Sequence, residues 1–445
     1  MLKRMPGPDS PAADAAARVP PEPDFSFNIG DAEDSLERMR ELLARFGDIY
    51  RVYSPGRRRY AYVINHPDDV RRVLVINHAN YVKGFGLDRV KVLTGNGLVT
   101  SEGDFWRSQR AMMQSMFQRK NLTRFAEFIA AANDRLLARW DQKAATGEPV
   151  NVTDELSALT LEVILRAIFG EDLDRLANAT GEHPFHFVAS DPTRDLGFAY
   201  RFRQLRSLVA QLATRRRSEV AEPQDFLGML VAARQRSSGA PMGERELIDE
   251  VMTLIIAGHE TAASTLNSAW YLLSQHPQAE AQLHAELDAV GELPAPDLAA
   301  TESLRYTRAM LTETLRLYPP VWLISRRTLA ADVLSGYPIP AGVDVLLSPY
   351  FVQRHVQFWS EPEAFRPERP ETAQEIRRPR CAFIAFSAGP RHCVGESMGM
   401  FEMCVHLYKI ARRLRLRLPS GTPMELEAQI NLRSRAPLMM RLQRR

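Results

Sequence analysis

Phe386-Ser387-Ala388-Gly389-Pro390-Arg391-His392-Cys393-Val394-Gly395-Glu396, near the C-terminus, sets one cysteine among two glycines and a proline. Such a composition makes an irregular loop whose backbone can approach a bound group closely. The residues from Ser397 onward, SMGMFEMCVHLYKIARRL, have helical spacing, so Cys393 sits just before a helix N-terminus. The unpaired amides and the dipole at that end favour a thiolate over a thiol. Arg391, two residues away, adds positive charge. A stabilised thiolate in a permissive loop is either a nucleophile or a metal ligand.

The other two cysteines, Cys381 and Cys404, lack such surroundings and read as small core or surface residues. Three cysteines with no paired spacing do not make a disulfide framework, which fits a reducing cytoplasm. No Cys-x-x-Cys or Cys/His cluster supports a structural zinc. The 57 Lys+Arg against 54 Asp+Glu are interspersed, giving a net charge of +3, which argues against a nucleic-acid footprint. No window approaches the roughly 20 apolar residues of a spanning helix, so no membrane anchor is expected.

The longest clean helical stretch runs from Glu244 to His276, stops at Pro277, and predicts a rod of about 45 Å at 1.5 Å per residue. Its middle, VMTLIIAGHETAASTL, is apolar on nearly every face, as in a helix at the centre of a large fold. Within it, Ala257-Gly258-His259-Glu260-Thr261 sets an acid beside an alcohol. Gly258 costs about 1 kcal/mol relative to Ala in mid-helix, and a local opening of the helix would explain it. A threonine hydroxyl bonded back to a helix carbonyl is the plain structural alternative for Thr261. His259 points to a different side and reads as an ordinary structural histidine.

Glu313-Thr314-Leu315-Arg316 places a carboxylate and a guanidinium on one helix face, with apolar flanks that favour a buried pair needing further partners. Phe365-Arg366-Pro367-Glu368-Arg369 lies downstream. Trp106 and Arg110, four apart, share another helix face.

Together these residues resemble the cytochrome P-450 family. Phe386, Gly389, Arg391, Cys393 and Gly395 match every fixed position of its haem-binding signature, F-x-x-G-x-R-x-C-x-G. Ala257 to Thr261 matches its oxygen-activation motif, Glu313 to Arg316 its E-x-x-R element, and Trp106 to Arg110 its W-x-x-x-R. The resemblance covers nearly the whole chain, in the family's order. It implies a mainly α fold with a small β part and a haem b (iron protoporphyrin IX) ligated axially by Cys393. The implied propionate partners are Arg391, Trp106, Arg110 and one of Arg326 and Arg327, with Arg327 preferred by its spacing to Asp332. Phe386 would pack near the sulfur, and Arg369 would complete a structural network with Glu313 and Arg316. Thr261 and Glu260 would serve oxygen activation and proton relay, over a bulge of the helix. That acid–alcohol pair argues against a peroxide-using branch.

By the same resemblance the reaction is monooxygenation of a hydrophobic organic molecule such as a fatty acid, terpenoid or steroid-like compound. Oxidative coupling or desaturation is the alternative. The 81–100 loop, a lid at 181–201, Leu254, Ala257, Val321 and Leu323 are expected to line the substrate pocket. Electrons are expected from a separate ferredoxin or flavodoxin with its NAD(P)H reductase, since the chain ends about fifty residues after Cys393. Arg107, Lys120, Lys409, Arg412 and Arg413 form its docking patch or a merely solvated surface. The protein is expected to be a cytoplasmic monomer.

Around these motifs, DAEDSLERMRELLARFG predicts a helix capped by Gly47, and Ser54-Pro55-Gly56 predicts a hairpin turn. Three helices are expected across 104–170. Residues 1–24, with prolines at 6, 8, 11, 20, 21 and 23, read as a poorly ordered or extended lead-in to one domain spanning 25–445.

Overall fold

A computed structural model describes residues 19–445 except 32, 181–183, 191–195, 220, 221, 223, 237, 294 and 370–377. Helices dominate. The ones that position the site are α1 (Ser35–Phe46), α2 (Leu87–Thr94), α3 (Gly103–Gln114), α4 (Ala126–Thr146), α5 (Val152–Phe169), α6 (Leu196–Ser218), α7 (Glu244–Gln275), α8 (Arg305–Leu317) and α9 (Glu396–Ala411).

The long helix α7 is the axle. Its N-terminus is closed by Glu246, whose carboxylate accepts the Gly243 amide at 3.0 Å, and Pro277 stops it. Buried residues on most of its faces pack against α5, α8 and α9 in one large apolar cluster. The crossing with α5 is close at Gly258, where an added Cβ would stand 2.8 Å from Ile164 Cδ1 and Cγ1. That contact accounts for the glycine. The helix is regular through Gly258, so the expected local opening there is not what the residue serves.

A five-stranded sheet forms the second layer. Its strands, β1 (Ile49–Ser54), β2 (Arg59–Ile64), β3 (Tyr81–Lys83), β4 (Ile324–Thr328) and β5 (Asp344–Leu347), lie in the order β1-β2-β5-β4-β3. Only the β2–β5 pairing is parallel. Period-2 alternation divides its apolar side chains. Ala61, Val63 and Leu346 face Leu36, Met39 and Leu42 of α1, while Tyr62, Ile64, Val345 and Leu347 join a separate cluster with Val70 and Val73. A last hairpin, β6 (Leu426–Ala428) and β7 (Leu432–Ser434), lies against α7. Among the described residues, no helix is long and apolar enough to cross a membrane.

Some expectations shift. Residues 1–18 of the lead-in lie outside the described residues, but 19–24 run beside β1, with Pro21 O accepting the Arg51 amide at 2.9 Å and Glu22 paired to Arg51. The 81–100 segment holds β3 and α2 rather than a plain loop. Of the expected lid, 181–183 and 191–195 lie outside the described residues. The described remainder is mostly helical, as His186–Ser190 and the start of α6.

Candidate functional site

The cysteine loop is shaped by its own backbone. The Cys393 amide donates to Phe386 O at 2.9 Å, and the His392 amide to Gly389 O at 3.0 Å. Gly389 has φ +67°, and a Cβ there would meet Leu74 O at 2.1 Å, so only glycine fits. Gly395 caps α9, and its amide and that of Glu396 donate to the Cys393 sulfur. Cys393 is exposed as a residue, while the protein crowded around its sulfur desolvates the thiol. Burial is the stronger effect and pushes the thiol pKa up, against the two amides and Arg110. A helix N-terminus alone therefore does not make this cysteine a thiolate; a cation bonded to the sulfur would.

Beside the loop lies an excess of positive charge. Lys83 and Arg326 are directly opposed across β3 and β4, a like-charge pairing that is ordinarily destabilising. Arg391 joins them, donating to Ser101 O at 2.9 Å and pairing with Glu102. Three cations thus share one carboxylate, Glu102, which also accepts the Lys83 amide at 2.6 Å. Burial lowers all three, Arg326 to about 10 and Lys83 well below the ordinary lysine value. The Trp106 ring lies 3.7 Å from the Arg391 guanidinium, and Arg110 donates to His392 O at 2.7 Å. With Glu102 their shared carboxylate, Lys83, Arg326 and Arg391 present nitrogen donors in excess of acceptors, and so fit the two propionates of a haem. Exposed Ala257, in the middle of the otherwise buried α7, marks where the helix opens a face.

Arg327 is not part of this cluster. Strand alternation turns it to the opposite face, where it pairs with Asp344 at 2.9 Å. Asp332 binds Arg72, Asn77 and Tyr81 instead. Arg326, not Arg327, stands beside Lys83, Arg391 and Glu102, and the sequence motifs name neither Lys83 nor Glu102.

The charged scaffold is fully buried. Glu313 accepts from Arg316 at 2.7 Å through both oxygens, from Arg369 Nε at 2.8 Å and from the Arg366 amide at 3.0 Å. The remaining guanidinium donors reach carbonyls of Gln353, Pro362, Ala364, Ser360 and Glu361. Gln353, missed in the sequence, relays this order towards the cysteine loop by accepting the Ile384 amide at 2.9 Å.

On α7, the Thr261 hydroxyl donates to Ala257 O at 2.8 Å, the plain structural bond, and α7 shows no bulge. The Glu260 carboxylate accepts from Asn431 at 2.5 Å. His259 is buried against Ser157 at 2.9 Å, away from any metal role. Of the expected pocket residues, Ala257 and Val321 are exposed, Leu254 is in the main core, and Leu323 packs with the cluster around α1. Cys381 and Cys404 are buried.

A cleft of about 480 Å³ lies against the loop, lined by Arg110, Gln114, Phe117, Arg236, His392 and Glu396 among others. Most of the expected basic patch is consumed in ion pairs or local bonds: Arg107 with Asp104, Lys409 with Asp134, Arg413 with Glu292, and Arg412 with Leu287 O.

The Cytochrome P450 family model matches residues 25–182 and 183–435. Cyclooctatin synthase of Streptomyces melanosporofaciens is 35% identical over 401 residues, 86% of either chain. The cyclooctat-9-en-7-ol 5-monooxygenase of the same organism is 30% identical over 450 residues, covering 94% of this chain and 95% of its own. Pentalenene oxygenase of Streptomyces avermitilis is 32% identical over 404 residues, covering 82% and 88%.

Proposed function

Because the chain belongs to the cytochrome P450 family, we propose that Cys393 holds its haem iron and that its substrate is a cyclic, largely apolar terpenoid. It is a haem-thiolate monooxygenase. The bound haem supplies the activation of dioxygen, one atom of which enters the substrate while the other leaves as water.

Cys393 would hold the haem iron through its sulfur, with the Gly395 and Glu396 amides moderating the electron density that sulfur donates. Lys83, Arg326 and Arg391 would hold the propionates, with Trp106 stacked on Arg391 to fix the direction of its fork. Glu313, Arg316 and Arg369 touch no reacting atom; they hold the segment from which the loop departs. Thr261 spends its proton on Ala257 O, which leaves its oxygen lone pairs to accept from a proton-bearing water. Glu260, half-buried beside it, is the carboxylate that passes protons inward.

The observation that carries the iron assignment is the Cys393 sulfur, held by the Gly395 and Glu396 amides at the start of α9. Its test is the reduced protein under carbon monoxide. Thiolate ligation gives a strongly red-shifted Soret band, which Cys393→Ser should abolish while Cys381→Ser and Cys404→Ser keep it. An unshifted band in intact protein would overturn the assignment. The substrate class rests on the relatives named for pentalenene and cyclooctat-9-en-7-ol. Soret titration with such hydrocarbons and alkenols, followed by product mass, tests it. One added oxygen atom marks oxygenation, and loss of two hydrogens marks desaturation. A separate ferredoxin- or flavodoxin-type donor would dock at the cleft beside the loop, where Arg110 and Arg236 supply positive charge.

A further inference from the structure

The last hairpin reaches the acid of α7 through one side chain. Its turn is pinned by three hydrogen bonds, two from the segment 320–322 and one from α7. Trp322 Nε1 donates to Gln429 O at 2.8 Å, the Leu432 amide to Pro320 O at 2.8 Å, and Ser264 Oγ to Leu432 O at 2.7 Å. Ser264 lies one helical turn beyond Glu260 on the same face of α7. Between those anchors, Asn431 directs its Nδ2 donor to Glu260 Oε2 at 2.5 Å.

The chemistry of this pair is selective. A carboxylate that exchanges protons must keep a partner both when it only accepts and when it carries a hydrogen. Arginine or lysine can only donate, so either would hold the acid ionised. An asparagine amide offers a donor to the carboxylate and, turned over, an acceptor to the carboxylic acid. It fixes the side chain without neutralising it. We infer that Asn431 is a positioning residue for proton delivery, holding Glu260 in one orientation through both of its protonation states. This rests on the reading of Glu260 as the proton-passing carboxylate.

The test uses haem-loaded wild type, Asn431→Ala, Glu260→Gln and the double variant. Infrared spectra of the ferrous carbon monoxide form report polar groups facing the bound gas. NADPH oxidation through a surrogate ferredoxin chain, in H2O and in D2O, reports proton delivery. Loss of the Asn431 hydrogen bond should split or broaden the C–O band in Asn431→Ala and slow turnover by about 3- to 10-fold, with a larger solvent isotope effect. Asn431→Asp, which adds a like charge, should be worse than Ala, and Asn431→Gln should restore part of the loss. In the Glu260→Gln background, Asn431→Ala should change nothing further. An Asn431→Ala protein with the wild-type band and isotope effect, beside a perturbed Glu260→Gln, overturns the role of Asn431 alone. Additive effects in the double variant overturn it too. A Glu260→Gln protein unchanged in both measures removes the role of Glu260 and this inference with it.

Discussion

Gln353 Oε1 accepts the Ile384 amide at 2.9 Å while its Nε2 donates to Leu315 O and Arg316 O at 3.0 Å, so one buried amide joins the end of α8 to the approach of the cysteine loop. All four groups lie in the interior, where each loses water. Gln353→Ala should destabilise by about 1–3 kcal/mol for each group left unpaired. Differential scanning calorimetry of the haem-loaded protein reads the loss. If Gln353 relays order to the loop, the thiolate carbon monoxide band should also decay faster than in wild type.

Gly258 allows a test decided by sign. Helix propensity alone makes Gly258→Ala stabilising by about 1 kcal/mol. The Ile164 contact opposes it, because overpacking a close crossing costs about 1–3 kcal/mol. The expected outcome is a net loss of thermal stability, partly recovered by Ile164→Val, which removes the Cδ1 methyl. A more stable Gly258→Ala would mean that the glycine serves an opening of α7 instead.

These cases show what a linear pattern carries. The loop from Phe386 to Gly395 and the Glu313–Arg316 pair are local, so their spacing alone displays them. The end of α7 follows from Pro277 for the same reason. Which of Arg326 and Arg327 faces Lys83 depends on the register of β4 against β3, some 240 residues apart in sequence. Gln353 and Asn431 act through contacts 31 and 171 residues distant, and neither carries any local mark. The segment 19–24 reads as poorly ordered or extended by composition, and nothing in that composition shows that Arg51 anchors it through both backbone and side chain.

The two neighbouring arginines should separate cleanly. Arg326→Met removes one of three crowded cations, so haem should be lost faster to excess apomyoglobin, with little cost in fold stability. Arg327→Met strands the buried Asp344 carboxylate, and breaking such a pair costs about 3–5 kcal/mol. Its effect should appear in the melting temperature and not selectively in haem retention. The reverse pattern would return the propionate role to Arg327.

Glu250 gives the fold a pH dependence of predictable sign. Its Oε2 accepts the Leu98 amide at 2.9 Å, but Oε1 has no hydrogen-bond partner among the described residues. Burial, with smaller contributions from Asp249 and Glu246, raises its pKa to about 8 against an ordinary value of 4.5. The folded state therefore holds a proton that the unfolded chain releases near pH 4.5. Stability from this group is full below that pH, falls as pH rises towards about 8, and then levels off. Glu250→Gln keeps the acceptor for Leu98 and removes the titration. Its melting temperature should match wild type near pH 5 and exceed it increasingly up to pH 8. Parallel curves for the two proteins across that window would show that Glu250 is ionised in the fold.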